Sequence, residues 1–271
     1  MTKKDDRNPD LVDAGGGGSE STAQPQRTRT RGGGGLESAG EDNVALVTRL
    51  CSEKGIALPA VLLLGGTDLL HVRARYAQSS ARSELTPSCW SFAAILTQDG
   101  TGYRVTQASA HGHASLAAIP ACNAVCDVPL SDFADRDAFP NLAVLEFPVA
   151  DRTKLDEAMT YLRRARLALD LVGPLAHWIT YLWGVGQTGN PLLAGIPEPS
   201  ALFVERVFAF ASVDITPGLA EPVVCPEAIW QAALLWRDFY EDDGATSSAT
   251  PRGFHVIGQK SAAMPESSVV P

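Results

Sequence analysis

The 271-residue chain lacks three features that would each have pointed to a class of function. No apolar run reaches the roughly 18 residues of a membrane span, so none is expected. No block of Lys and Arg stands out, and the formal net charge is −9. Nucleic acid is therefore not an expected partner, because neutralising phosphates takes concentrated positive charge. The densest basic run, "YLRRARLALD" (161–170), reads as the solvated side of an amphipathic helix. Paired cysteines are missing too: there are five, an odd number at irregular spacing, which argues against a disulfide framework. The opening "MTKKDDRNPD" has no apolar signal core, so a cytoplasmic location is expected.

Large apolar side chains are also scarce at the ends. None occurs between Val12 and Leu36, a stretch that holds two four-glycine runs. Such a segment cannot bury enough surface to offset its ordering entropy, so residues 1–41 are expected to be a disordered, Gly-rich tether. The glycine runs are not phosphate loops, since no Lys-Ser or Lys-Thr follows and no strand precedes. No cofactor is expected. Residues 242–271 read as a mostly disordered tail, in which "FHVI" (254–257) could dock locally. Residues 42–241 remain, a comfortable size for one domain.

Within that span, "DNVALVTRLCSEKGI" places Val44, Leu46, Val47, Leu50 and Cys51 on one helical face, with Asp42 or Asn43 to cap it and Gly55 to end it. Strand-like pieces follow: "LLHVRAR", "SFAAILT", "YRVTQAS" and "LAVLEFP". The Asp-Gly in "TQDGTGYR" joins the second and third as a hairpin, and "LLLGGTD" reads as a turn before a strand. "ASLAAIPACNAVCDVPL" is apolar but interrupted by proline, and its state is left open. From Val149 the pattern becomes helical. Leu155, Ala158, Met159, Leu162 and Leu169 form one stripe. "GPLAHWITYLWG" is an aromatic-rich helix, "PSALFVERVFAFAS" an apolar, buried one, and "PEAIWQAALLWRDFYEDD" the last. Strands followed by helices predict an α+β domain.

These strings, in this order, resemble the permuted, NlpC-type branch of the papain-like thiol hydrolases. The likeness spans residues 64–238 and rests on "GGTDLLHVRAR", "WSFAAIL", "YRVTQAS", "PLSDF", "LAVLEFP" and "SALFVERVF", with Thr216-Pro217 and Cys225-Pro226 as matching turns. It implies a small antiparallel sheet packed against a buried helix whose first turn carries the nucleophile. It also implies a base on the "WSFAAIL" strand and an orienting group on the next. Those positions hold Ser200, Phe92 and Gln107. A thiol hydrolase needs a thiolate, an imidazole to take and return its proton, and a polar group to fix that imidazole. Phenylalanine accepts no proton, and a serine without a base is a poor nucleophile. Loss of the base alone removes about 10²–10⁴ in rate.

The expectation is a degenerate, non-catalytic domain whose former cleft binds a peptide, acyl chain or protein partner. The Trp and Tyr residues of "HWITYLW" would supply an apolar groove if they line it. A hydrolase of peptide, amide or acyl bonds with a non-standard set is the enzymatic alternative, in which His111 or His113 reaches Ser200 or Cys89. A scaffold with a filled cleft is the third. The plainer readings make Ser200 a helix cap, Phe92 a core residue and Gln107 a surface residue. His111, His113, Cys122 and Cys126 could supply four zinc ligands, although the cysteine spacing is wider than structural sites use.

Overall fold

The computed structural model describes residues 40–109, 116–164, 170–184, 188–220, 223–242 and 250–258. All of them belong to the second of the two units into which the chain divides after Ser38. The architecture is α+β. Helix α1 (Asn43–Lys54) is capped by Asp42, which accepts from the Ala45 N–H at 2.7 Å, and stops at Gly55 in the left-handed conformation that a side chain would resist. Strand β1 (Ala60–Gly65) and helix α2 (Leu69–Ala77) follow, then strands β2 (Phe92–Asp99), β3 (Gly102–Ala108), β4 (Val125–Pro129) and β5 (Asn141–Glu146). Helices α3 (Thr153–Leu162), α4 (Val172–Leu182), α5 (Pro199–Phe210) and α6 (Pro226–Asp242) come next, and strand β6 (Arg252–Ile257) closes the described chain.

The six strands form one sheet in the order β4-β3-β2-β1-β5-β6, every neighbouring pair antiparallel. Side-chain alternation divides the core between the two faces. Val61, Leu63, Ala93, Ile95, Ala143 and Leu145 point to the face packed by α3, α4, α5 and α6. Leu62, Leu64, Phe92, Ala94, Leu142 and Val144 point to the face packed by α1 and the turn at residues 130–133. Helix α5 lies against β2 and β3. Its Leu202, Phe203, Val204, Val207 and Phe208 are buried, each contributing about 1.5–3 kcal/mol.

The first of the expected strands needs correction. "LLHVRAR" is helical, not extended: the Asp68 carboxylate accepts from the His71 N–H at 2.9 Å and starts α2. The strand is instead the preceding "AVLLLG", buried along its whole length between β2 and β5. In the tail after 241, where "FHVI" could dock locally, β6 pairs with β5 from Arg252 to Ile257. The Glu146 carboxylate holds it there, meeting Arg252 at 2.8 Å on one oxygen and Arg152 at 2.8 Å on the other. The ambiguous stretch resolves into a 3-10 turn with Pro120 inside it, then β4. Leu169 and the Gly-rich segment 1–39 lie outside the described residues.

Candidate functional site

At the end of the sheet where β2 begins and β3 stops, a cavity of about 400 Å³ opens. That size falls within the ordinary range of small-molecule sites. Five parts of the fold wall it. Helix α2 and its cap supply Asp68, Leu70, His71 and Ala74; the strands and the residue before β2 supply Ser91, Phe92, Gln107, Ala108 and Val128. The turn after β4 and the loop before β5 add Asp132, Phe133 and Phe139, and α4 faces them with Leu175, Trp178, Ile179, Leu182 and Trp183. Glu198, Pro199 and Ser200 bring the first turn of α5 into the same wall. Two ties fix the helices around the opening. Arg73 donates to the Leu182 carbonyl at 2.7 Å, joining α2 to α4, and Trp178 Nε1 donates to the Pro197 carbonyl at 2.9 Å, joining α4 to the start of α5.

Ser200, Phe92 and Gln107, far apart in sequence, all line this cavity. Their contacts differ from those of a catalytic set. The Ser200 hydroxyl accepts the Ala93 N–H at 2.9 Å and donates to Glu198 Oε2, so both its roles are taken, and the residue is 1% exposed. The contact is to the Ala93 amide rather than to the Phe92 ring. Alternation along β2 sends Ala93 toward the α5 face and Phe92 toward the other. The Phe92 ring packs within 5.3 Å of Phe133 and 5.7 Å of His71, centroid to centroid. Gln107 does not face solvent, contrary to the plainer expectation: it is 2% exposed and lines the cavity.

Nor is Ser200 the cap of α5. That position belongs to Glu198, whose Oε2 accepts the Ala201 N–H at 2.8 Å, with Pro199 opening the helix where a missing N–H costs nothing. Burial pushes the Glu198 carboxyl up to about 7, against the opposing pull of its bonds from Ser200 and Ala201. Glu198 is hard to find in the sequence because Ser outranks Glu as a capping type. The Pro199 beside it is the signal, since proline at the first helical position makes its predecessor the cap. His71 is hidden in a string that reads as a strand. Its ring lies so close to Gly66 that a Cβ there would sit 2.3 Å from it.

Of the alternative nucleophile and metal groups, Cys89, Cys122 and Cys126 lie among the described residues. Cys89 does not line the cavity, and burial raises its thiol above the ordinary range. Cys126 is buried on β4 and pushed up to about 12, a poor prospect for a metal-binding thiolate, and Cys122 sits on the turn before that strand. No group of three His, Cys, Asp or Glu side chains suited to a metal ion occurs among the described residues. His111 and His113 lie outside them. No described helix is long and apolar enough to cross a membrane. No protein-family model matches the chain, and no curated protein matches it.

Proposed function

We propose that this chain is a binding protein: a permuted papain-like domain without its catalytic set, whose cavity holds a small ligand or peptide side chain with an apolar body. The observation that carries this reading is the engaged state of Ser200 in an otherwise open cavity. Its hydroxyl lies between the Ala93 amide and Glu198, and the residue before Ala93 on β2 is a phenylalanine that can neither accept nor return a proton. An open volume of about 400 Å³ favours binding over a cleft filled by its own side chains. The packing of α5 on β2 and β3 supports the papain-like plan, as does the convergence of Ser200, Phe92 and Gln107 on one cavity.

One feature favours a hydrolase as the second reading. A carboxyl near pH 7 beside a serine hydroxyl is a candidate base. Labelling with a fluorophosphonate separates the two. The binding reading expects no adduct on Ser200 at pH 8, whereas stoichiometric labelling lost in Ser200→Ala would make the chain an enzyme. Binding itself is tested with the neutral probe 1-octanol, followed through the fluorescence of Trp178 and Trp183. Ile179→Trp, which fills the cavity from α4, is expected to weaken the probe by roughly tenfold or more. Equal binding by that variant would place the probe elsewhere. The papain-like plan has its own test: Ser200→Cys combined with Phe92→His should react with iodoacetamide about tenfold faster or more than Ser200→Cys alone.

A further inference from the structure

The charge and the rings of the cavity narrow the class of ligand beyond what its shape does, on the premise that the site binds as proposed. We propose that the ligand is an organic cation, a protonated amine or quaternary ammonium on an apolar body, with its charge set against Glu198 and its body among the aromatic rings. Among the described residues, the lining holds three carboxylates, Asp68, Asp132 and Glu198, and neither a lysine nor an arginine. Two of the carboxylates, on Asp68 and Asp132, are exposed at the mouth, while Glu198 is buried on the floor. A cation entering this site passes from solvent-facing negative charge to a negative group that has lost its water, where attraction is strongest.

A helix N-terminus ordinarily welcomes an anion, and α5 points its first turn at the cavity. That place is already occupied. Glu198 takes the Ala201 N–H and the Ser200 hydroxyl on Oε2, so a second carboxylate or phosphate there would meet a like charge without free donors to offset it. The polar end of a ligand must therefore donate rather than accept. Gln107, 2% exposed and lining the cavity, carries a side-chain carbonyl oxygen that can accept one such N–H.

The rings complete the case. Phe92, Phe133 and Phe139 form a triad with centroids 5.2 to 6.5 Å apart, and His71 lies 5.3 Å from Phe139. Trp178 and Trp183 stand on α4 across the cavity. Aromatic faces attract alkylammonium groups, and most strongly where water is excluded. Carboxylates of one sign together with several rings distinguish this cavity from an acyl-chain pocket, which needs rings or aliphatic groups alone. The net charge of −9 adds a long-range field of the same preference.

The test uses the full chain at pH 8 and isothermal titration with four probes of one chain length: octylammonium, octyltrimethylammonium, 1-octanol and octanoate. Both ammonium probes are expected to bind about tenfold or more tightly than 1-octanol, and octanoate more weakly than the alcohol. Glu198→Gln should bring the ammonium probes down to the alcohol while leaving 1-octanol within about twofold, because glutamine keeps the shape and loses the charge. Should that variant fail to fold, the wild-type ranking decides alone. Alcohol and ammonium binding equally, or octanoate binding tightest, overturns the cation while leaving the binding reading intact. Binding by none of the four overturns both.

Discussion

A carboxyl group shut away from water holds its proton longer, and Glu198 shows what that costs the fold. Its ordinary value of 4.5 rises to about 7 in the native state, chiefly through burial. Between those values the folded chain keeps a proton that the unfolded chain sheds. The contribution of this group to stability is then full below pH 4.5, falls as pH rises through the window, and levels off above about 7. The full difference is on the order of 3 kcal/mol. Urea unfolding at pH 5.5 and pH 8 should show the decline in the wild type and a flatter dependence in Glu198→Gln; parallel curves would mean the carboxyl is not buried in solution. The same group links binding to pH. A cation binds the ionised form, so octylammonium affinity should rise about tenfold from pH 6 to pH 8. Asp68, His71 and Asp132 also face the cavity, and Cys225 behind it is pushed up to about 12, so its thiol stays neutral. A profile that survives Glu198→Gln would assign the dependence to His71 instead. Ser200→Ala removes the acceptor of the buried Ala93 N–H and should cost about 1–3 kcal/mol by urea midpoint.

At the level of elements, β6 is the piece whose docking hangs on a single glycine. A Cβ at Gly253 would lie 2.0 Å from the Val144 carbonyl oxygen, an approach the backbone of β5 cannot relieve by rotating a side chain. Gly253→Ala should cost roughly 1–3 kcal/mol and open residues after 250 to proteolysis, with β5 left as an unprotected edge. Unchanged protease resistance would mean the strand docks by other contacts. Helix α1, strands β2, β3 and β5, and the helices from α3 onward are legible in the sequence because each has a clear period or a clear cap. Strand β1 and helix α2 are not, for opposite reasons. "AVLLLG" is buried on both faces, so it shows no alternation to mark a strand. "LLHVRAR" alternates apolar with charged residues by chance over a helix of nine residues, too short for the helical period to assert itself. The Asp68 cap is the readable clue, and β6 is visible only as the apolar island "FHVI" in a polar tail.

Across the whole molecule, the cavity gathers residues from positions 68 to 200, and that assembly is where sequence reasoning stops. Ser200, Phe92 and Gln107 could be placed together because local strings around them resemble a known order. The carboxylates and His71 could not, since Asp68, Asp132 and Glu198 each look like an ordinary turn or cap residue until folding brings them to one wall. Their shared sign matters because the chain as a whole carries −9. The two sources of attraction respond differently to salt. The field of the surface and the mouth carboxylates is screened over about 10 Å at 0.1 M ionic strength, whereas an ion pair at buried Glu198 is screened far less. Raising sodium chloride from about 0.05 to 0.5 M should slow octylammonium association several-fold and weaken its affinity by roughly threefold, while the preference over 1-octanol persists. Asp132→Asn should remove part of the salt dependence and little of the preference; Glu198→Gln should do the reverse. Stopped-flow tryptophan fluorescence gives the rates and titration gives the ratio. If high salt erased the preference altogether, the charge that selects the ligand would lie at the surface and not on the floor of the cavity.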